Sequence, residues 1–266
     1  MSHAVMPEKF YEIAMNHLPS DPPPHDQGGR PRVPNRVTLG VIWYVLASGV
    51  RWEDVPQQLG CSGRTAHRRL TAWEEAGCWD DLHADLLRLL RDADKLDADL
   101  VAIDSVIVRA FGGGDDTGPN PTDRRKPGTK HTLMVDRNGV PLAIHTAPAN
   151  ASDQKQIIPI VLDFPEVAGK PGRPPTKPEV VVADRGYDNE STRWILRWLG
   201  IEPRIAKRNT EHGSGLGKVR WVVERTISWI KGLRRMRIRY DRSAVVQGAW
   251  TTLAAAVVCF QILCRD

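Results

Sequence analysis

The chain has 266 residues, 41% apolar and 26% charged, an ordinary globular make-up with enough material for one or two domains around a core. The four cysteines, Cys61, Cys78, Cys259 and Cys264, show no CxxC spacing and no matching pair of histidines, which excludes a zinc module and reads as reduced thiols in a cytoplasmic protein. Net charge is only +5, yet residues 204–242 hold 12 Lys/Arg against 3 Asp/Glu in an otherwise mildly acidic chain. That distribution points to a polyanion held at one surface, DNA or RNA by default.

Along the chain, the first 90 residues read as helices, and no basic-then-apolar leader follows Met1. Residues 38–48 are apolar at near-helical spacing. Residues 52–59 read as a short helix, followed by Gly60-Cys61-Ser62 and a second helix over 63–76 closed by Gly77. Ser62 suits an N-cap and Gly77 a C′ position, so the pair reads as a helix-turn-helix. Its second helix carries Arg64, Thr65, His67 and Arg68 in the half where a recognition helix meets bases and phosphates. The Pro/Gly-rich stretch 21–36 is a loop or arm.

After a bridging helix from 79 to about 93, the texture changes. Residues 99–111 are apolar on both faces, as a central strand should be. Residues 130–136 and 140–146 are strand-like and joined by Arg137-Asn138-Gly139, a hairpin signal. A helix follows over 152–162, a short apolar strand over 179–184, a helix over 190–199 stopped by Gly200, and a strand over 201–206. Trp194 and Trp198, four apart on that helix, read as core. The stretch 244–263 is long enough to span a membrane, but Gln247, Thr251, Thr252 and Gln261 interrupt it, and a core helix is expected. The whole is mixed α/β.

Three carboxylates stand out. Asp104 alternates with Leu100, Ala102, Val106 and Val108 on one strand face, where a lone acid is costly without a cation. Asp184 ends a buried strand, where open α/β sheets place ligands. Glu224 shares one helix face with Arg220, Ser228 and Lys231. Converging acids of this kind suit Mg²⁺ or Mn²⁺, and a pair of such ions suits a phosphodiester. The run Arg234, Arg235, Arg237, Arg239 is a candidate phosphate track. Asp188 is a rival ligand; Asp136 and Asp153 read as a turn residue and a helix-cap residue. His145 and His212 lack partners at ligand spacing, and Trp221 and Trp229 read as packing residues. Gly213–Lys218 lacks the spacing of a nucleotide loop, so no nucleotide is expected.

The segments Val101-Ala102-Ile103-Asp104-Ser105, Ala183-Asp184-Arg185-Gly186-Tyr187 and Arg220-x3-Glu224-x6-Lys231 together resemble the DDE transposases of bacterial insertion sequences, closest to the families numbered four and five. Gly217 stands where that third pattern has a tyrosine. The stretch from Gly118 to His131, and Arg51-Trp52 through Trp73-x3-Gly77, also resemble family-five members. The resemblance implies an RNase H-like catalytic domain, a mixed sheet flanked by helices, over 93–266, behind an all-α helix-turn-helix domain over 1–92. It implies Asp104, Asp184 and Glu224 as catalytic and metal-holding residues for two Mg²⁺ or Mn²⁺ ions, with Arg220, Lys231, Arg234, Arg235 and Arg237 joining Arg64, Thr65, His67 and Arg68 on DNA. Cleavage and joining at terminal inverted repeats follow, with target DNA as second substrate, a homodimer as the expected assembly and the bacterial nucleoid as location. A nuclease of the same fold that never joins, and a non-catalytic helix-turn-helix binder, are the alternatives.

Overall fold

The computed structural model describes residues 5–21, 31–167, 174–208 and 217–265, with only the backbone of 217–219. The chain opens with four helices: α1 Glu8–Met15, α2 Asn35–Ser48, α3 Gly63–Glu75 and α4 Cys78–Asp92. Ser62 caps α3 by accepting the Thr65 N–H at 3.2 Å, and Gly77 adopts φ +74° between α3 and α4, so both helix-end signals hold. The expected helix over 52–59 does not form. Two 3-10 turns, Trp52–Asp54 and Gln57–Leu59, stand there, with Val55 extended before Pro56. Proline lacks an N–H and pushes its predecessor out of the helical region, which accounts for the break. The α3 start is instead fixed by close approach: a Cβ at Gly63 would collide with the Trp52 carbonyl oxygen.

The sheet follows: β1 Leu100–Ala110, β2 Gly118–Pro119, β3 Pro127–Val135 and β4 Pro141–Pro148, then α5 Asp153–Leu162, β5 Val180–Ala183, α6 Glu190–Trp198 and β6 Glu202–Ile205. The chain closes with α7 Gly217–Gly232, β7 Ile238–Arg239 and α8 Ala244–Leu263. Antiparallel pairing joins β4 to β3 and β3 to β1; parallel pairing joins β1 to β5 and β5 to β6. The long path is therefore β4-β3-β1-β5-β6, with β2 and β7 as short additions to β3 and β1. A three-strand meander followed by two parallel crossover strands, with the first strand central, is the RNase H-like order. The hairpin turns at Gly139, φ +89°, where Asp136 accepts N–H bonds from Asn138 and Val140.

Helix α8 is long and apolar enough to cross a membrane but lies mostly buried inside the fold, packed on α3 and α4 as well as on β4 and α7. One apolar cluster consequently runs from Phe10 of α1 through Trp73 and Trp79 to Val101, Ile103 and Val223. Helix α7 lies on β1, β3 and β5 through Val222, Val223, Thr226 and Ile230, which fixes what its other face presents.

Candidate active site

Parallel pairing of β1 with β5 puts Ile103 opposite Ala183. The next residues, Asp104 and Asp184, therefore stand side by side, about one strand spacing of 4.8 Å apart in the backbone. Asp184 begins a 3-10 turn and its Oδ1 accepts the Gly186 N–H at 2.8 Å. Asp104 Oδ1 accepts the N–H of Ser105 at 2.8 Å. In both residues a backbone amide takes one carboxylate oxygen and orients the group, leaving Oδ2 for other partners.

Helix α7 supplies the rest. Arg220 Nη2 lies 3.5 Å from Asp104 Oδ2 and 3.8 Å from Glu224 Oε1, so one guanidinium stands between the strand acid and the helix acid. Glu224 is the open member, its side chain 61% exposed against 19% for Asp104. Burial pushes the Asp104 carboxyl above the usual carboxylate range; the Ser105 N–H and Arg220 pull it back, and the charges of Asp184 and Glu224 push it further up. Asp104 thus feels the charge of both other acids across the sheet–helix junction. Among the described residues no three acids stand close enough to ligate one ion in this arrangement. The residues nonetheless fit a divalent cation: the donors are all oxygen, and a cationic side chain holds the place between Asp104 and Glu224 with its own buried Nε unpartnered.

Behind the acids, Tyr187 is buried and its hydroxyl is hydrogen-bonded to Ser105 Oγ, which also meets Thr132 Oγ1 at 3.0 Å. Asp188, the rival ligand, is engaged elsewhere. It takes Arg193 at 2.7 Å and the Arg208 N–H at 2.8 Å, bonds that tie α6 to the strand ends. Asp136 is the turn residue expected of it. Asp153 sits in the first turn of α5 as expected, but its carboxylate faces Lys130 at 2.5 Å rather than capping the helix. That pairing spans 23 residues and has no local signal.

The expected DNA-facing residues divide. Arg64 and Arg68 are exposed on α3, and Lys231, Arg234 and Arg237 are exposed at the end of α7 and beyond it. Thr65 is half-buried beside the cap, its Oγ1 3.1 Å from Ser62 Oγ. His67 turns partly inward, 5.3 Å from the Trp52 ring and 3.7 Å from Asp241 Oδ1. Arg235 corrects the phosphate track: it is 4% exposed, bonds Asp241 at 2.6 Å and lies among the rings of Trp52, Tyr240 and Trp250. The run is a 3-10 turn followed by β7, so successive arginines point to different sides. Arg239 is likewise buried, on Thr129 Oγ1 at 2.7 Å. Trp194 and Trp198 are the second correction: they are 64% and 73% exposed, because α6 buries Thr192, Arg193 and Leu196 instead. His212 and residues 213–216 lie outside the described residues.

An RNase H-like sheet with paired aspartates on its central strands and a glutamate from a covering helix defines a phosphoryl-transfer enzyme of the DDE class. Residues 95–259 match the sequence profile described as "Transposase DDE domain", and residues 6–83 match "Putative transposase of IS4/5 family". The chain belongs to the DDE transposases of insertion sequences. It is 52% identical over 153 residues, 58% of this chain and 72% of the relative, to the "Putative transposase for insertion sequence element IS402" of Burkholderia cepacia. It is 40% identical over 129 residues, 48% of this chain and 88% of the relative, to the "Insertion element IS402 uncharacterized 16.2 kDa protein" of the same organism. Among solved structures it is similar to the BIV integrase catalytic core, at 12% identity and TM-score 0.34, covering 59% of this chain and 83% of that one. It is also similar to the Mos1 mariner paired end complex with Mn, at 10% identity and TM-score 0.37, covering 96% and 83%.

Proposed function

We propose that this transposase binds the terminal inverted repeats of its element, cleaves DNA at the ends and joins the freed 3′-OH to target DNA, using two Mg²⁺ or Mn²⁺ ions held by Asp104, Asp184 and Glu224. The observation that supports this most is Arg220 standing between Asp104 and Glu224, with the charge of Asp184 acting on Asp104: a cation position flanked by carboxylates. Divalent ions there supply Lewis acidity toward a phosphodiester and lower the cost of generating the attacking oxygen. The chain's own part is positioning. Asp104 and Asp184 are each pre-oriented by a backbone amide, and Glu224 is free to swing in from solvent. Arg220, relieved of Asp104, turns to a phosphate oxygen. Lys231, eleven residues along α7 and so about 16 Å away at 1.5 Å per residue, takes a more distant one. Each step is an in-line exchange. Water oxygen bonds to phosphorus as the 3′-oxygen leaves, and that 3′-oxygen then bonds to a target phosphorus as the target's own 3′-oxygen leaves.

Residues 1–92 are the DNA-binding part in this reading and 93–266 the catalytic part, working as a dimer on paired ends at the nucleoid. Arg64 opens, with Arg51 and Arg242, onto a groove of about 1280 Å³ between the start of α3 and the segment after β7. The groove's floor is built by Arg235, Asp241 and Trp52, so the buried arginine supports the DNA-facing surface rather than forming it.

The experiment uses the purified protein, a labelled duplex carrying the element end, and a target plasmid, with Mg²⁺ or EDTA, alongside Asp104→Ala and Glu224→Gln. Metal-dependent cutting at the end with joined product, both lost in the variants, is the expected result. Cutting without joining favours the nuclease reading, and end-specific binding without cutting leaves a DNA-binding protein.

A further inference from the structure

The acids of the site do not stop at three. Asp153 Oδ2 and Asp184 Oδ1 lie 3.4 Å and 2.8 Å from one point, the place a Cβ on Gly186 would occupy, so the two carboxylates border the same gap and only a residue without a side chain leaves it open. The Tyr187 hydroxyl, buried behind them, is under the charges of Asp104, Asp153 and Asp184 together. Asp153 arrives there from α5, pinned through its other oxygen. Lys130 of β3, only 5% exposed, donates to Asp153 Oδ1 and to the Ala151 carbonyl, each at 2.5 Å. A surface helix cap needs no buried ammonium to hold it. Arg220 pairs with Asp104 and Glu224 and Lys130 with Asp153, so the four carboxylates outnumber the two cations paired with them.

We propose that Asp153 is a fourth carboxylate of the metal site, a positioning residue whose Oδ2 hydrogen-bonds a metal-bound water on the Asp184 side, with Lys130 fixing its direction. This rests on the reading of Asp104, Asp184 and Glu224 as metal holders. Outer partners of this kind typically change metal affinity 10–100-fold without being ligands themselves.

The test is Mn²⁺ binding to the full chain on end duplex, followed by the loss of the free-ion paramagnetic signal. Wild type, Asp153→Asn, Lys130→Met and Asp104→Asn are compared, with thermal melts of each. Asp153→Asn is expected to weaken Mn²⁺ binding about tenfold, with a lower melting temperature because the buried Lys130 ammonium loses its counter-charge, and to shift the Mg²⁺ concentration for half-maximal cleavage upward while the maximal rate recovers at high Mg²⁺. Lys130→Met should do the same with the smaller loss of stability, since the carboxylate it leaves unpaired is partly exposed. Unchanged Mn²⁺ affinity in Asp153→Asn, with or without a lower melting point, would make the pair a strand–helix pin and overturn the proposal. Failure of wild type itself to bind Mn²⁺, or no loss in Asp104→Asn, would overturn the underlying site instead.

Discussion

Arg220 Nη2 lies 3.5 Å from Asp104 Oδ2, and the two residues are 116 positions apart in the chain. That contact joins the covering helix to the central strand at the point where the acids gather. Without a metal it is the guanidinium that balances them. Replacing it should therefore change the free protein and the metal-bound protein differently. Arg220→Gln is expected to lower the melting temperature of metal-free protein by a few degrees, about 2–4 °C for each kcal/mol lost in a chain of this size, and to gain more from added Mn²⁺ than wild type does. Thermal melts with EDTA and with Mn²⁺ check this.

Arg235 and Arg237 offer a contrast two residues apart. Asp241 accepts from Arg235, from Trp250 at 3.0 Å and, at 3.3 Å, from Trp52, tying α8 to the segment before α3. Breaking a buried pair by removing one partner leaves the other charge unpaired and costs about 3–5 kcal/mol. Asp241→Ala should cost that order in urea unfolding. Arg237→Ala should leave stability within about 0.5 kcal/mol and weaken duplex binding with a shallower salt dependence.

His131 carries the pH prediction. It is buried on β3 with Nε2 3.1 Å from Gln247 Nε2, and burial, aided by Arg239, pushes it down to about 4. The folded chain therefore keeps the ring neutral where an unfolded chain, titrating near 6.5, takes a proton. Its contribution is complete above pH 6.5, falls as pH drops, and levels off below about 4, a span on the order of 3 kcal/mol. Urea unfolding of wild type and His131→Gln across pH 4–7 is the check: the variant should show the shallower acid slope.

Trp194 and Trp198 give the clearest difference between sequence pattern and packing. Two tryptophans four apart on a helix read as a buried face, and truncating buried ones costs about 3–5 kcal/mol each. They are exposed here, so Trp194→Ala with Trp198→Ala together should move stability by less than about 1 kcal/mol, measured by urea unfolding.

The frame of the site was legible because its signals are local. An apolar strand interrupted by Asp104, a short apolar strand ending at Asp184, and the Asn138-Gly139 turn each carry their meaning within a few residues. Glu224 and Arg220 were legible as helix neighbours, though not the reach of Arg220 to Asp104. What stayed hidden depends on distant partners. Arg235 is buried only because Trp52, Tyr240 and Trp250 converge on it from separate segments. Asp153 leaves its helix-capping role only because Lys130 reaches it from β3. The break at 52–59 is different in kind, since Pro56 is itself a local signal.

The most direct test of the metal-holding carboxylates is a change of donor at Asp184, whose Oδ2 is free of backbone bonds among the described residues. Asp184→Cys is assayed for end cleavage in Mg²⁺, Mn²⁺ and Cd²⁺, with Asp184→Ala beside it. Sulfur is a poor ligand for Mg²⁺ and a good one for softer ions. Asp184→Cys should not cleave in Mg²⁺ and should recover in Mn²⁺ or Cd²⁺, and Asp184→Ala should cleave in none of them. Full activity of either variant in Mg²⁺ would contradict the metal-holding role of Asp184.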